Sequence, residues 1–486
     1  MADAPAAPEH VDVLIVGAGI SGIDAAYRLK ERCPGKSWLI LEARARIGGT
    51  WDLFRYPGIR SDSDMYTLGF PFRPWAGEKA IVDGAAIRDY VEETARENGI
   101  FERIRFGDAA VRAAWSSAQA RWSVETASGA RYRCRFLYLG SGYYDYAQGY
   151  RPAWPGEDNY RGTIVHPQHW PDHLDTAGKR IVVIGSGATA VTLVPALAQT
   201  AAHVTMLQRS PSWVVSRPSR DGMAHWLQRR LPLGAADALT RWKNVLLGML
   251  FFSRSRKAPD KVKATLLRLV TADLPPGYDV ARHFEPRYNP WDQRVCLVPD
   301  GDLFAAIRAG TVSVVTDTID RFTGTGLTLS SGLDIEADIV VTATGLDVKL
   351  LGGIALSVDG APVNVAERCN YKGMMLSDVP NLALAFGYTN ASWTLKCDLT
   401  AKYVCRLLNH MDREGADICV PVLGGAALAR EPMLDFSSGY VQRAAAILPG
   451  QGPEAPWRVH QNYFKDLMAL RFGSVTDAVM EFRRAG

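Results

Sequence analysis

Residues 11–30 read VDVLIVGAGISGIDAAYRLK. A β-branched apolar run at 11–16 enters Gly17-Ala18-Gly19-Ile20-Ser21-Gly22, and a helical pattern of apolar residues follows. A second apolar run, SWLILE at 37–42, closes on Glu42. Strand, G-x-G-x-x-G, helix, strand and acid, in this order, specify a dinucleotide-binding fold. Gly17, Gly19 and Gly22 let the backbone approach a pyrophosphate, and the helix N-terminus stabilises its charge. Glu42 is expected to accept hydrogen bonds from a ribose.

The pattern recurs at 179–210, KRIVVIGSGATAVTLVPALAQTAAHVTMLQRS. An apolar strand feeds Gly185, Ser186, Gly187, Ala188, Thr189 and Ala190, then a helix, then a second strand. That strand ends on Gln208, where the first unit carries Glu42, and Arg209 and Ser210 follow. A carboxylate would repel a 2′-phosphate, whereas Arg209 can bind one through charge-assisted hydrogen bonds. The second loop is therefore expected to take NADP(H) rather than NAD(H).

Two such loops imply an α/β chain with two Rossmann-like dinucleotide-binding domains. The first is assigned FAD, because GGTW follows Glu42 closely. The stretches FLYLGSG at 136–142 and IVVTATG at 339–345 are each an apolar strand closing on a small-residue turn, suited to crossing between domains. The expected map is a split FAD domain, 1–149 and 346–486, around an NADP domain at 150–345. Residues from about 211 to 285 break the α/β alternation, are rich in Arg, Leu and Trp, and read as a helical insertion. Within it, WKNVLLGMLFFS is flanked by arginines and lysines. The 226–257 region is thus open to two readings, a buried helix or subunit contact, and peripheral attachment to an anionic membrane surface.

Composition narrows the class. Of 486 residues, 47% are hydrophobic and 22% charged, with a net charge of +4. This is the balance of a globular enzyme and gives no reason to expect nucleic acid as a partner. The seven cysteines include no C-x-x-C pair, which removes a dithiol redox centre and a zinc ribbon and suits a reducing cytoplasm. The start, MADAPAAPEH, reads as a disordered tail rather than a signal peptide. The most apolar helical stretch is too short to span a bilayer.

The segment YRGTIVHPQHWPDH, 160–173, holds three of the nine histidines at spacings that look metal-binding. No carboxylate or thiol completes a ligand set at suitable spacing, so no metal is expected. Instead Tyr160, Gly162, His166, Trp170 and Pro171 match the pattern F-x-G-x-x-x-H-x-x-x-W-[PD], with Tyr for Phe. Gly48, Gly49, Trp51, Tyr56, Pro57, Gly58 and Asp62 complete [AG]-G-x-W-x-x-x-x-[FY]-P-G-x-x-x-D. Through these patterns the chain resembles the type I Baeyer–Villiger monooxygenases, a class of flavoprotein monooxygenases; through GGTWDLFRYPGIRSDSDMYTLGF, HPQHWP, GSGATAVTLVPAL, HVTMLQRSP, YNPWDQR and GYTNASWTLK it resembles most of all their mycobacterial ethionamide-activating branch.

The resemblance implies an FAD enzyme that consumes NADPH and O2 and oxidises ketones to esters or lactones through a flavin peroxide. It also implies S-oxygenation of thioamides and sulfides. It assigns Arg294, in YNPWDQR, as the cation beside the reacting centre and Asp62 as the group that orients it. Arginine suits the role because it stays protonated at any working pH. Ser21, Thr50, Trp51, Asp52 and Leu53 would line FAD, and Ala110 would contact adenine. Arg60 and Ser61 would face the nicotinamide, and His166 would couple the domains. Residues 388–396 would begin a helix pointing its N-terminus at the flavin. Gln293 stands where many members carry Lys, which leaves NADP preference to Arg209 and Ser210. Two alternatives stay open on the sequence, a flavin N- or S-monooxygenase without ketone activity and a non-catalytic nucleotide-binding redox sensor.

Overall fold

The computed structural model describes residues 7–424, 429–434 and 437–485. Its larger sheet is built around Glu9–Val16, which lies parallel to Trp38–Glu42 on one side and to Arg131–Leu139 on the other. Ile104–Phe106 extends the first side. Beyond Arg131–Leu139 the sheet turns antiparallel through Arg121–Thr126 and Ala110–Ser116, then continues to Ala355–Val358 and Ala361–Pro362. Leu382–Leu384 completes it by pairing with the end of Arg131–Leu139. Strands from both ends of the chain thus share one sheet.

Glu9–Val16 explains why this sheet is covered on both faces. Val13 and Ile15 pack with the helices Ile20–Arg32 and Trp393–Glu414, whereas Leu14 and Val16 pack against Trp115, Trp122 and Leu356. Apolar residues at successive positions of a strand have no other way to leave water. The two helices are also pinned to each other, by the buried pair Arg28–Asp398 at 2.7 Å and by Trp393 Nε1 donating to Ser21 Oγ at 2.8 Å.

The second sheet is wholly parallel, in the order Val312–Thr316, His203–Gln208, Arg180–Ile184, Ile339–Thr342, Thr163–Val165. Helix Ala188–Leu197 contributes to the core on one face; the antiparallel strands Ile319–Phe322, Gly326–Leu329 and Asp334–Glu336 cover the other. Between His203–Gln208 and Val312–Thr316 the chain makes an excursion through helices Gly222–Gln228, Leu233–Lys257, Pro259–Asp273 and Val280–Phe284. The parallel pair Val214–Arg217 and Cys296–Pro299 ties off its base.

The chain crosses between the sheets twice, and the crossings run side by side as the antiparallel pair Tyr144–Gly149 and Leu346–Val348. The histidine segment grips this junction. His166 Nδ1 accepts the Gln168 N–H at 3.2 Å, so Nε2 carries the proton and donates to Gly345 O at 3.3 Å. Its ring fills the space beside Gly149, where a Cβ would meet His166 Cε1 at 2.0 Å. Gln168 Nε2 donates to Asp145 O at 2.7 Å and His169 Nε2 to Ala147 O at 3.1 Å. Among the described residues, no cluster of three or more His, Cys, Asp or Glu is placed to hold a metal, and no helix is long and apolar enough to cross a membrane.

Candidate active site

A cavity of about 510 Å3 lies between the two sheets at the ends of their strands, within the range of cofactor sites. Both glycine loops reach it: Gly17, Gly19 and Ser21 from the first, Ala188 and Thr189 from the second. Gly17 has φ +100°, and a Cβ there would stand 2.7 Å from Gly140 O, so only glycine fits. Gly22 does not line the cavity; it lies under the loop, where a Cβ would strike Gly17 O.

The helices that follow both loops begin without a side-chain cap. Gly19 and Gly187 stand at the N-cap positions of Ile20–Arg32 and Ala188–Leu197, and no side chain accepts from their first N–H groups. Four other helices are capped by aspartates, Asp64, Asp83, Asp221 and Asp279. Two uncapped ends facing one cavity leave donors and positive dipole ends for an anionic ligand. Glu42 sits beside the first, with Oε2 accepting Ala18 N–H at 2.7 Å and Oε1 accepting Arg44 N–H at 3.0 Å. Burial pushes its carboxyl up, against those two hydrogen bonds. Asp108 N–H donates to Glu42 O at 3.0 Å, which brings Ala110 to the same end of the cavity.

The G-G-x-W stretch supplies the facing wall. Thr50 and Trp51 line the cavity, and the chain then turns toward the second sheet. Gly58, at φ +76°, packs so closely on helix Ala188–Leu197 that a Cβ would come 2.7 Å from Ala196 Cβ and 2.9 Å from Thr192 O. This contact carries Arg60, Ser61 and Asp62 into the cavity wall. Arg60 is not free there, because Asp302 holds its guanidinium at 2.5 and 3.3 Å. Ser61 Oγ accepts Ser63 N–H at 2.9 Å.

Arg294 reaches the same wall from the loop before Cys296–Pro299, with Nε 3.9 Å from Asp62 Oδ2. Its side chain remains 44% accessible, and it lines both this cavity and a neighbouring one. Burial opposes the charge on Arg294, yet Asp62 and the hydroxyls of Tyr143, Tyr144 and Tyr440 outweigh it and raise its pKa above the usual value. Burial also raises the Asp62 carboxyl, and Arg294 and Arg60 draw it partly back. The three tyrosines escape a reading of the sequence. Tyr143 and Tyr144 directly follow the strand end at 136–142, which is a usable signal; Tyr440 arrives from far along the chain with none. The Tyr143 and Tyr144 hydroxyls are 2.8 Å apart.

The second cavity, about 660 Å3, shares Asp62, Ser63, Arg294 and Ala391 with the first. Its other walls include Leu247, Met249, Phe251, Phe252 and Trp291, the polar Asp64, Arg217, Asp221 and Lys243, and Gln461, Asn462 and Tyr463. Helix Trp393–Glu414 presents its first residue, Trp393, to the first cavity, next to Thr389 and Ala391.

Several expected residues lie elsewhere. Asp52 is buried among Arg44, Arg46 and Arg55, and Leu53 packs against the core of the second sheet. Gly185, Ser186, Gly187 and the buried Ala190 form the second loop without lining the cavity. Arg209 and Ser210 stand exposed at the end of His203–Gln208. Ser186 Oγ donates to Ser210 O at 2.9 Å. Gln208 is buried, its amide donating to His283 O and Thr316 Oγ1.

The chain is 54% identical to the FAD-containing monooxygenase EthA of Mycobacterium tuberculosis H37Rv, over 98% of both chains. The chain belongs to the FAD-containing monooxygenase family. EthA of Mycolicibacterium smegmatis is 52% identical over the same share, and the probable FAD-binding monooxygenase AlmA of Acinetobacter baylyi 46% over 98% of this chain and 96% of that one. The flavin-binding monooxygenase-like family model matches residues 69–265, and the NAD(P)-binding Rossmann-like model residues 15–76. Among solved structures, an oxidised steroid monooxygenase bound to NADP superposes with a TM-score of 0.80 at 21% identity, over 98% of this chain and all of the other. Cyclohexanone monooxygenase from Rhodococcus sp. Phi1 bound to NADP+ gives 0.75 at 19%, over 99% and 100%. Those likenesses establish the fold of this monooxygenase.

Proposed function

We propose that this FAD-containing monooxygenase is an NADPH- and O2-consuming Baeyer–Villiger enzyme, which converts ketones to esters or lactones and also oxygenates the sulfur of thioamides and sulfides. The observation that carries the reading is the Arg294–Asp62 pair, set in the wall common to two cavities. The first cavity fits FAD: it has a tight glycine turn, with Gly17 packed on the backbone of Gly140, an uncapped helix end and Glu42 beside it.

FAD, when bound, supplies the redox chemistry and the activation of O2. The protein's part is to bind, orient, exclude water and place charge. Gly17, Gly19 and Ser21 hold the pyrophosphate end, with Glu42 and the backbone at Ala110 on the ribose and adenine. Thr50 and Trp51 wall the ring end. Arg294 keeps a fixed positive charge where the oxygen of a ketone gains negative charge, and its five donors in a rigid fork suit an oxyanion. Asp62 fixes the guanidinium's position. Tyr143, Tyr144 and Tyr440 line the same cavity as Arg294.

NADPH binds the loop at 185–190, with Arg209 and Ser210 on its 2′-phosphate. Gln208 is committed to the fold, and among the described residues no carboxylate pairs with Arg209, which leaves it the cation to meet that phosphate. The same proposal divides the chain into an FAD unit, 1–149 and 346–486, and an NADP unit, 150–345, with His166 joining them. It also includes peripheral contact of the 226–257 region with an anionic membrane surface, from a cytoplasmic location.

The test is a panel of ketones and sulfides with NADPH, measuring product identity against cofactor consumed. Ester formation coupled to NADPH use is expected, and Arg294→Ala should cut the ester by roughly a hundredfold or more while NADPH oxidation persists. Sulfoxide formation with every ketone inert would leave only S-oxygenation, and no coupled product on any substrate would overturn the reading.

A further inference from the structure

The strand Tyr144–Gly149, one of the two crossings between the sheets, runs along the wall of the first cavity, where Tyr144, Asp145, Tyr146 and Ala147 all line it. Its backbone is gripped on either side of Tyr146, at Asp145 O by Gln168 Nε2 and at Ala147 O by His169 Nε2. The Tyr146 side chain leaves the strand in another direction. The Arg44 guanidinium lies over its ring, 5.9 Å from the ring centre. Its hydroxyl reaches the G-G-x-W stretch, 3.4 Å from Thr50 Oγ1.

Gly49 shows where that hydroxyl stands. A Cβ built on Gly49 would lie 3.6 Å from Tyr146 Oη, 3.1 Å from Gly19 Cα and 3.8 Å from Gly19 N. One small volume is therefore bordered by the tyrosine hydroxyl, the G-G-x-W turn and the N-cap of helix Ile20–Arg32. In a dinucleotide fold the pyrophosphate lies at this end of the helix. Tyr146 thus brings a hydroxyl from the junction of the two sheets to the most negative part of the cofactor.

Other side chains near this end are already committed. Ser21 Oγ accepts Trp393 Nε1 at 2.8 Å and donates to Cys397 Sγ at 3.4 Å. Arg44, Arg46 and Arg55 pair with the buried Asp52. The contact of Tyr146 with Thr50, by contrast, is long for two hydroxyls, whose bonds are usually about 2.8 Å. Burial raises the Tyr146 hydroxyl above its ordinary pKa, so it keeps its proton at working pH and can donate it. A phosphate oxygen is the acceptor that makes such a bond strongest.

We infer that Tyr146 is a ligand of the FAD pyrophosphate, donating its hydroxyl to a phosphate oxygen from the strand that joins the two sheets. FAD then holds the junction as well as its own loop, because the strand gripped by Gln168 and His169 is the one that reaches the cofactor. The inference rests on the reading that FAD occupies the first cavity, and not on which substrate is oxygenated.

The test compares wild type, Tyr146→Phe and Glu42→Ala as full-length apoprotein reconstituted with FAD. Flavin fluorescence reads the dissociation constant, and hydrogen exchange followed by mass spectrometry reads the backbone at 144–149 and 166–169. A hydrogen bond to a charged acceptor corresponds to roughly tenfold to hundredfold in affinity. Tyr146→Phe should bind FAD more weakly by that factor while its apoprotein keeps the wild-type Tm. In wild type FAD should slow exchange across both segments by about tenfold or more, and in Tyr146→Phe saturated with FAD by about threefold at most.

Tyr146→Phe that binds FAD within twofold of wild type, while Glu42→Ala binds it more weakly, overturns the inference. Affinity that falls together with the Tm of the apoprotein makes Tyr146 a structural residue and overturns it too. Weakened binding with wild-type protection at 144–149 overturns the hold on the junction. Wild-type affinity in both variants refutes the first cavity as the FAD site, so failure of that reading is distinguishable from failure of the inference alone.

Discussion

Asp62 and Arg294 should act as a unit, and a double-mutant cycle measures whether they do. Unit charges 3.9 Å apart, the separation found here, interact by about 1 kcal/mol at the dielectric of water and about 4 kcal/mol at an effective value near 20. Because 44% of the Arg294 side chain is accessible, screening places the pair toward the lower figure, ~1–2 kcal/mol. Spent on positioning, that corresponds to a loss of roughly fivefold to thirtyfold in rate. Asp62→Asn keeps the shape and removes the charge, so ester formation should fall by that factor while NADPH oxidation continues uncoupled. In an Arg294→Ala background the same change should cost almost nothing further.

The pH profile gives a second reading of the same pair. Burial raises the Asp62 carboxyl, so protonation should weaken ketone oxidation on an acid limb lying above the ordinary carboxylate range, and Asp62→Asn should erase that limb. A raised carboxyl contributes stability below its unfolded pKa and loses it as pH rises through the folded one. Asp62→Asn should therefore not lower Tm at neutral pH. The assay is product per NADPH across pH for the four proteins of the cycle. Single effects that simply add, or an acid limb unchanged in Asp62→Asn, would refute the coupling.

Gly17→Ala should displace the loop and lower both flavin content and Tm, since its Cβ would sit 2.7 Å from Gly140 O at φ +100°; flavin absorbance per folded chain and thermal unfolding read this. Burial lowers His166 below its usual pKa, so stability tied to its neutral ring is present above pH ~6.5 and lost as pH falls. The slope of Tm between pH 7 and pH 5 should accordingly be shallower in His166→Gln. Asp24 is fully buried, neither of its oxygens has a hydrogen-bond partner among the described residues, and burial together with Asp398 holds its carboxyl well above the usual range. Ionised Asp24 then opposes folding at neutral pH, and Asp24→Asn should raise Tm there, by an amount that shrinks toward pH ~4; thermal unfolding at both pH values checks it.

Features that depend on neighbours along the chain are legible in the sequence itself. Apolar runs followed by Gly17 and Gly185 can only be strands entering tight turns, because the backbone at those glycines turns where a side chain would collide. The contrast between Glu42 and Gln208 at the ends of the two second strands is legible for the same reason, since each lies a fixed distance along the chain from its loop. The patterns 48–62 and 160–171 locate Asp62 and His166, although the spacing of the histidines by itself points toward a metal. Their actual partners, the carbonyl oxygens of Gly345 and Ala147, are backbone atoms that no spacing announces.

What the amino-acid sequence determined alone, then, was the pair of nucleotide units and their order, set by local periodicity and by where glycine is obligatory. Tertiary structure decided which side chains meet. It bound Arg60 to Asp302 across 242 positions, turned Asp52 and Leu53 away from the cavity their motif borders, and brought Tyr143, Tyr144 and Tyr440 to the cavity that Arg294 lines. It also set Trp242 of helix Leu233–Lys257 beside Tyr463. Such pairings follow from how two sheets and a helical excursion pack against one another, a long-range property that the spacing of residues along a chain does not encode.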